Sequence, residues 1–391
     1  MTDPGAEVIR LVWELRSRNP LVRGRAASAL GLLGQPDAVL PLIELLRDPN
    51  DGVRCRVAEA LGRLRDPRAA RPLAIALQDT QPAVQSAAQT GLVLLGSEAV
   101  RALCEAVWSG APSWRLPAAE TLVRIGSPAV PTIIRLLTAP VWEVRREASA
   151  ILGRIGDRLA IPALISRLTD ETAWVRGQAA ESLGWIGDAE ATGALTRALQ
   201  DNSDLVRLHS VQALGAMLTW KCVDPFIPLL ADPSEAVREA AATELGRQGD
   251  AKAALPLVRA LESGLRAPAA EALGQIAARD PAPELRAALP VLRSLLSPAD
   301  PKHDALYRAA IAQIEQATMA FQGLPLPAAT PMPTPPANLP RPATRPDTLT
   351  VPLTVDEELE QLAAAATLAP PPDPDWKQRA AGYVGRKLRG A

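Results

Sequence analysis

The sequence of 391 residues is poor in residue types that several protein classes need. Aromatic residues make up only 3% of the chain, and its apolar residues are mainly Ala, Leu and Val. β-Sandwiches and barrels are richer in β-branched and aromatic residues, so this composition favours closely packed helices. The chain has three cysteines, an odd number at distant positions. We therefore expect no disulfide framework and a reducing compartment.

The sequence also lacks the residue clusters that carry chemistry. Its two histidines, His209 and His303, are 94 residues apart, and no Cys or His pair has the spacing of a metal site. There is no glycine-rich phosphate-binding loop and no nucleophile elbow. We therefore predict no catalytic residue, no cofactor and no metal, and we expect that the chain is not an enzyme.

Charge and hydropathy exclude two further classes. The formal net charge is −1, so there is no excess of positive charge to attract a nucleic acid. No apolar run approaches the roughly 18 residues of a membrane span. The first residues also lack the basic start and apolar run of a signal peptide. We expect a cytoplasmic protein whose partner is neither a nucleic acid nor a membrane.

What fills the sequence is an internal repeat. Nine segments align on one position, usually the Val of "VR", at intervals of 28 to 31 residues, and a Leu stands eight residues after each. We call this position the anchor of its repeat. The anchors are Val22, Val53, Val84, Trp114, Val144, Val175, Val206, Val237 and Leu265.

Each interval holds two amphipathic stripes separated by a polar turn, which predicts two helices per repeat. With the atypical ends at about 5–34 and 283–319, we predict ten helix pairs. A single pair cannot bury its apolar stripes, so neighbouring pairs must stack. The sequence therefore predicts an all-α fold, an α-solenoid or superhelix, over residues 1–320. A Pro-rich disordered linker over 321–353 and a tail over 354–391 are predicted to follow. Pro117 and Pro268, each three residues after an anchor, are expected to start helices.

The repeat has the pattern D-P-x-x-x-V-R-x-x-A-A-x-x-L-G-x-[LI]-G-D over residues 22–278. This pattern resembles the HEAT repeat, and its short length resembles the variant named after phycobilisome lyases. The resemblance implies an armadillo-like array whose second helices line an inner docking face. It also implies that the Asp five residues before an anchor and the Arg after an anchor bridge adjacent repeats. The Arg series is thus read as structural, not as a phosphate site.

Positions six and ten after the anchor are predicted to face solvent on the second helix. Glu and Arg at these positions can pair one turn apart, as in Glu59–Arg63 and Glu120–Arg124. The surface is therefore either a self-neutralised solvated face or an ionic docking groove. Trp185 stands at position ten of repeat six, where most repeats carry a polar residue.

Five of the eight tryptophans fall between residues 108 and 185. Trp114 occupies an anchor, Trp142 lies two residues before one and Trp174 one before the next, so we expect these three along one edge of repeats four to six. They either fill gaps beside small Ala-rich neighbours or belong to a site for a protein partner, because Trp and Arg dominate such sites. The predicted partner-binding residues of the array are Trp114, Trp142, Trp174, Trp185, Arg124 and Arg154.

The tail carries a second predicted contact. A capping box at Thr354–Glu357 predicts a short acidic helix over about 355–368. The residues after Asp375 include five basic residues and no acid, with an apolar stripe on one side. Several alternatives stay open for this segment: folding on a protein partner, docking back on the solenoid, being a tail without a contact, or lying on a membrane surface. The predicted tail contacts are Trp376, Tyr383, Arg386 and Lys387.

These features predict a non-catalytic protein-interaction scaffold, or adaptor, that uses the solenoid surface and a flexible tail. A bilin lyase or lyase subunit is the alternative that the repeat variant implies, although no residue outside the repeat itself matches such a site. A weaker alternative is a DNA-binding repair solenoid. That function needs a basic groove, whereas residues 1–320 carry a net charge near −1.

Overall fold

The computed structural model describes residues 4–109, 112–217, 222–297 and 301–319. Within these ranges every regular element is a helix. Contacts divide the chain into two units, Met1–Pro340 and Arg341–Ala391. The predicted linker and tail, with Trp376, Tyr383, Arg386 and Lys387, lie outside the described residues.

Nineteen α-helices occur in the described part of the chain. In order they are α1 (Pro4–Glu14), α2 (Pro20–Leu33), α3 (Val39–Glu44), α4 (Asp51–Leu64), α5 (Ala70–Ala76), α6 (Pro82–Leu95), α7 (Ser97–Ser109), α8 (Pro112–Ile125), α9 (Val130–Leu136), α10 (Trp142–Ile155), α11 (Ile161–Arg167), α12 (Ala173–Ile186), α13 (Thr192–Ala198), α14 (Asp204–Ala216), α15 (Glu235–Gln248), α16 (Ala254–Glu262), α17 (Arg266–Arg279), α18 (Ala288–Leu295) and α19 (Pro301–Thr318).

The helices form stacked pairs, which confirms the predicted α-solenoid. In each pair a first helix is followed by a longer second helix, usually of 14 residues. The second helices are α2, α4, α6, α8, α10, α12, α14, α15, α17 and α19. In α2 and α4 a turn side chain caps the start: Asn19 accepts from the Leu21 N–H, and Asn50 accepts a hydrogen bond from the Val53 N–H at 3.1 Å. Several second helices end at a glycine with positive φ, such as Gly187 at 72°.

The eighth pair departs from this plan in its first element. Instead of an α-helix, the described residues before α15 hold a 3₁₀ helix of five residues, Ile227–Ala231. Pro225 and Pro228 lie in this stretch, and neither has an N–H to donate. An α-helical hydrogen-bond ladder therefore cannot be completed there, although Phe226 and Leu230 still reach the core.

Neighbouring second helices approach each other at a small residue nine positions after the anchor. A Cβ atom on Gly62 would lie 2.5 Å from the Cα of Gly91, and one on Gly184 would lie 2.7 Å from the Cα of Ala213. Such contacts leave no room for a side chain, because the obstacle is backbone. In repeats three and four this position is Val93 and Val123, and α8 packs less closely against α6 and α10 than the other second helices do against each other.

A ladder of buried and partly buried ion pairs joins consecutive repeats. Arg176 donates from Nε and Nη2 to the two carboxylate oxygens of Asp201, at 2.7 and 2.8 Å. Its Nη1 donates to the turn carbonyls of Asp170 and Glu171. One guanidinium group thus holds the next repeat in place through the carboxylate and also donates hydrogen bonds to the turn carbonyls of its own repeat. This confirms the predicted bridging role. The other rungs are Arg23–Asp48, Arg54–Asp79, Arg145–Asp170 and Arg207–Asp232.

Three of the ladder aspartates, Asp48, Asp79 and Asp170, have a lowered pKa. Hydrogen bonds from Arg54 hold the pKa of Asp79 below its ordinary value, in spite of partial burial. Burial by itself would raise the pKa of Asp48 and Asp170. Hydrogen bonds from Arg23 and Arg145, with backbone N–H groups, outweigh that effect, and the pKa of both groups is lowered.

The ladder is interrupted around repeat four, where the glycine contacts also stop. Gln85 replaces the Arg of repeat three and reaches only the turn carbonyl of Asp79, at 2.6 Å. Ser109 and Ala139 stand where the next two aspartates are expected. The described rungs therefore link repeats one to three, and separately repeats five to eight.

Helix α8 has a second irregularity. Pro117 lies inside it, so the prediction that this proline starts the helix is wrong. The helix begins five residues earlier at Pro112, because a proline is well tolerated at the first position, where its missing N–H has no partner anyway. Pro268, in contrast, lies in the first turn of α17 as predicted.

Candidate functional site

The candidate site is the exposed side of α8, α10 and α12. Helical geometry places residues two, six and ten after each anchor on one stripe of a second helix. We call the exposed or half-buried members of these stripes the middle face. They are Leu116, Glu120, Arg124, Arg146, Ala150, Arg154, Glu181 and Trp185.

The most distinctive part of the middle face is its position-ten row. Arg124, Arg154 and Trp185 hold the same position on three successive second helices, so their side chains are neighbours in the stack. All three are exposed, and the indole of Trp185 is 51% accessible. Leu94 continues the row on α6 and is 37% exposed. The row thus combines two cations with an aromatic ring and an aliphatic side chain.

The two arginines of this row have no internal partner in the described part of the chain. Neither Arg124 nor Arg154 forms an ion pair or a hydrogen bond with the described residues, and the expected Glu120–Arg124 pair is not made. The corresponding Glu59–Arg63 pair does close, at 3.6 Å. The middle face is therefore not self-neutralised in repeats four and five.

Trp114 does not line the predicted edge. Its ring is half-buried against the core, and its Nε1 donates a hydrogen bond to the carbonyl of Ala74 in α5 at 2.8 Å. The anchor position is buried in most repeats, and Trp114 follows that rule. The ring of Trp114 therefore fills space beside small neighbours, as in the first of the two alternatives for these tryptophans. Its hydrogen bond to Ala74 links repeat four to repeat three.

Trp142 and Trp174 lie at the start of α10 and α12, as expected. Trp142 is half-buried, with the guanidinium carbon of Arg146 at 5.9 Å from its ring centroid. Trp174 is 44% exposed. Trp108 and Val141 are also exposed close in sequence to this edge, at 40% and 46%.

Sequence reasoning missed two members of the middle face. Leu116, which is 60% exposed, and Arg146 stand two residues after their anchors. The signal was present, since this position lies one turn before position six on the same stripe. Extending the comparison between repeats from positions six and ten to position two would have found both residues.

A separate apolar cleft lies at the N-terminal end of the array. It has a volume of about 570 Å³ and is lined by residues of α1 such as Val8, Ile9 and Trp13, with Gln35 opposite. Trp13 is 68% exposed, and the guanidinium carbon of Arg16 lies 5.7 Å from its ring centroid.

Metal ligands and thiols were the remaining candidates for reactive groups in the described ranges. These ranges contain no group of three or more His, Cys, Asp or Glu side chains placed to hold a metal ion. Burial raises the pKa of the Cys104 thiol to about 12, and it also raises the pKa of Cys55, so both are poor nucleophiles. Within the same ranges, no helix has the length and apolar character needed to cross a membrane.

The repeated architecture matches a known family. The family model for HEAT repeats matches residues 10–93, 130–215, 194–274 and 223–313. This chain belongs to the HEAT-repeat family. The matched segments leave out residues 94–129, which are repeat four and its surroundings, where the Arg–Asp ladder is interrupted.

Solved HEAT-repeat structures show the same fold. The chain is similar to Kap121p, with 15% identity and a TM-score of 0.53 over 81% of this chain and 42% of that one. It is also similar to the yeast importin-β Kap95p, with 14% identity and a TM-score of 0.51 over 80% of this chain and 52% of that one. The chain thus spans about half the length of these importins. A search of curated proteins finds no match.

Proposed function

We propose that this chain is a non-catalytic scaffold that binds a protein partner on the middle face. The observation that carries the proposal is the position-ten row, in which Trp185 is half exposed beside two arginines without partners in the described residues. Trp and Arg supply a large share of the binding free energy at protein interfaces. Trp185, Arg124 and Arg154 lie on packed helices, so their main chain loses little conformational entropy when a partner binds.

The fold supports a protein as the partner. Kap95p, which has the same fold, binds RanGDP. The middle face argues against DNA, because a DNA-binding groove needs a large excess of positive charge and the carboxylates of Glu120 and Glu181 offset much of the charge of its arginines. A bilin-lyase role, the alternative that the repeat variant implies, requires site residues that the middle face does not offer.

The test uses the full chain immobilised as bait in a native lysate, with quantitative mass spectrometry of the captured proteins. Trp185→Ala and Trp174→Ala are compared with Trp13→Ala, a matched control because Trp13 is at least as exposed but lies on α1. We expect a partner that wild type and Trp13→Ala retain and Trp185→Ala loses. With the purified partner, Trp185→Ala should weaken binding by about tenfold or more, as for an interface hot spot.

Circular dichroism of each variant verifies that the helices are intact. If no protein depends on Trp185, or if Trp13→Ala has the same effect, the middle face is not the docking site. Incubation of the purified chain with a linear tetrapyrrole provides the second arm. A stable visible absorbance that survives gel filtration would favour the lyase alternative over the scaffold.

A further inference from the structure

We propose that the middle face recognises an acidic segment of its partner in the extended polyproline II conformation, in which two acidic residues stand between two apolar residues at intervals of about three. This inference rests on the proposed function and adds the chemistry of the partner. It is carried by the charge and the spacing of the position-ten row, formed by Leu94, Arg124, Arg154 and Trp185.

The charge argument compares arginines at the same position of different repeats. Arg63 is neutralised by Glu59 at 3.6 Å, and Arg247 by Glu244 at 2.7 Å. Among the four position-ten arginines, those of repeats four and five are the two without an acidic partner in the described residues. A free guanidinium group offers a planar fork of donors that matches a carboxylate, so acidic side chains are the natural ligands of this pair.

The spacing argument follows from helix packing. Packed helices lie about 8–10 Å apart. A segment in the polyproline II conformation advances about 3.1 Å per residue with three residues per turn, so every third side chain lies on the same side of it. A segment of this kind that crosses the second helices therefore presents one side chain to each repeat, at intervals of about three residues. Arg124 and Arg154 are one repeat apart, and Trp185 is one repeat further on, so the groups that they contact should be about three residues apart. The interval between the groups on Arg124 and Arg154 is the longer one, because α8 packs less closely against α10 than α10 does against α12.

The apolar side chains at the two ends of the row predict apolar residues at the two ends of the bound segment. Trp185 offers an exposed indole after the second arginine, and Leu94 an exposed aliphatic group before the first. The complementary sequence is apolar-x-x-acidic-x-x-acidic-x-x-apolar. Glu120 and Glu181, at position six, lie beside the row and disfavour an acidic segment displaced by one helical turn. The acidic residues of the bound segment are thereby aligned with the arginines at position ten.

The experiment titrates the full chain against fluorescein-labelled peptides of about ten residues, the length that the spacing sets, and measures fluorescence polarisation. The test peptide has Leu, Glu, Glu and Trp at intervals of three, separated by Ser and Gly. The control peptide has the same composition with its two Glu adjacent. We expect the test peptide to bind about fivefold tighter than the control, since two exposed ion pairs contribute modestly. This advantage should decrease as salt is added.

Variants identify the groups that are responsible. Arg124→Gln and Arg154→Gln should each weaken binding of the test peptide about threefold. Arg63→Gln is the matched control and should have no effect, because Arg63 is already paired and lies two repeats away. Arg154→Glu should reverse the preference, so that a peptide with Lys in place of the second Glu binds better than the original.

Three results would overturn the inference: equal binding of the spaced and adjacent peptides, an equal effect of Arg63→Gln, or no binding of the test peptide at about 1 mM, the weakest affinity of interest. Failure of the acidic-segment proposal can be distinguished from failure of the proposed scaffold function. A protein partner that needs Trp185 but is unaffected by Arg124→Gln and Arg154→Gln would keep the scaffold and reject the acidic segment.

Discussion

The glycine contacts between second helices give the sharpest prediction about stability. In Gly184→Ala the new Cβ would lie 2.7 Å from both the Cα and the Cβ of Ala213. The obstacle includes backbone, so no side-chain rotation relieves it and α12 must move away from α14. Gly193→Ala is the matched control, because Gly193 is exposed on α13 and its Cβ would meet nothing within 4 Å.

Both substitutions raise helix propensity, which favours folding, but only Gly184→Ala also introduces a steric clash. Replacing a helical Gly by Ala stabilises a helix by about 1 kcal/mol, and this should be the main effect at Gly193. At Gly184 it is opposed by overpacking, which costs about 1–3 kcal/mol in well-packed interiors. We expect Gly193→Ala to stabilise the chain by up to about 1 kcal/mol. Gly184→Ala should lower the free energy of unfolding by about 1 kcal/mol, and Gly184→Val by more.

The measurement is urea unfolding followed by circular dichroism, with hydrogen exchange resolving the segments. In a repeat array the loss should be concentrated where the contact is made. We therefore expect faster exchange in α12 and α14 of Gly184→Ala and unchanged exchange in α4 and α6. If Gly184→Ala were as stable as Gly193→Ala, α12 and α14 would not be in backbone contact and the packing argument would fail.

Three further predictions concern the ion pairs and the thiols. Arg207→Ala should lower the free energy of unfolding by about 3–5 kcal/mol, because it leaves the buried carboxylate of Asp232 without its ionic partner. Arg158→Ala should lower it by less than about 1 kcal/mol, because the Arg158 side chain is 78% exposed. Equal losses in urea unfolding would refute this difference. The pKa of three ladder aspartates is lowered by folding, so their contribution is fully present above the unfolded value of about 3.9 and is lost as pH falls through the lower folded values. An acid titration of stability that is flat below about pH 4 would contradict this. Cys104, with a pKa of about 12, should resist maleimide at neutral pH until the chain is unfolded, which mass spectrometry of the labelled peptides can follow.

Much of the fold follows from periodicity. The anchors recur at nearly constant spacing, and every anchor lies on or beside the start of a second helix, so the pairing of helices is predictable from the amino-acid sequence alone. The Arg–Asp bridges are predictable too, because both residues recur at fixed distances from the anchor. What periodicity does not give is the local replacement of a first helix by the 3₁₀ helix Ile227–Ala231. This region carries Pro228 in addition to Pro225, and Pro225 stands where other first helices have a proline, as at Pro41 and Pro72.

The candidate site was less predictable, because side-chain direction depends on the neighbouring repeats. Trp185 was expected to be exposed, and it is. Trp114 was grouped with the edge tryptophans, although its anchor position is a buried one in most repeats. Whether Arg124 pairs with Glu120 depends on side-chain conformations that spacing alone does not specify. The roles of Trp376, Tyr383, Arg386 and Lys387 in the tail stay predictions.

The interruption at repeat four has a consequence for how the array responds to stress. A repeat protein behaves as a one-dimensional cooperative system, in which coupling between neighbours decides how far an unfolding event spreads. With neither a rung nor a glycine contact in the described residues there, α8 is a boundary between two such cooperative segments. The middle face crosses this boundary, since Arg124 lies on α8 and Arg154 on α10. The Trp114–Ala74 hydrogen bond and apolar packing still couple repeat four to its neighbours. A partner bound along the row would strengthen this coupling, and the two segments would then unfold more cooperatively.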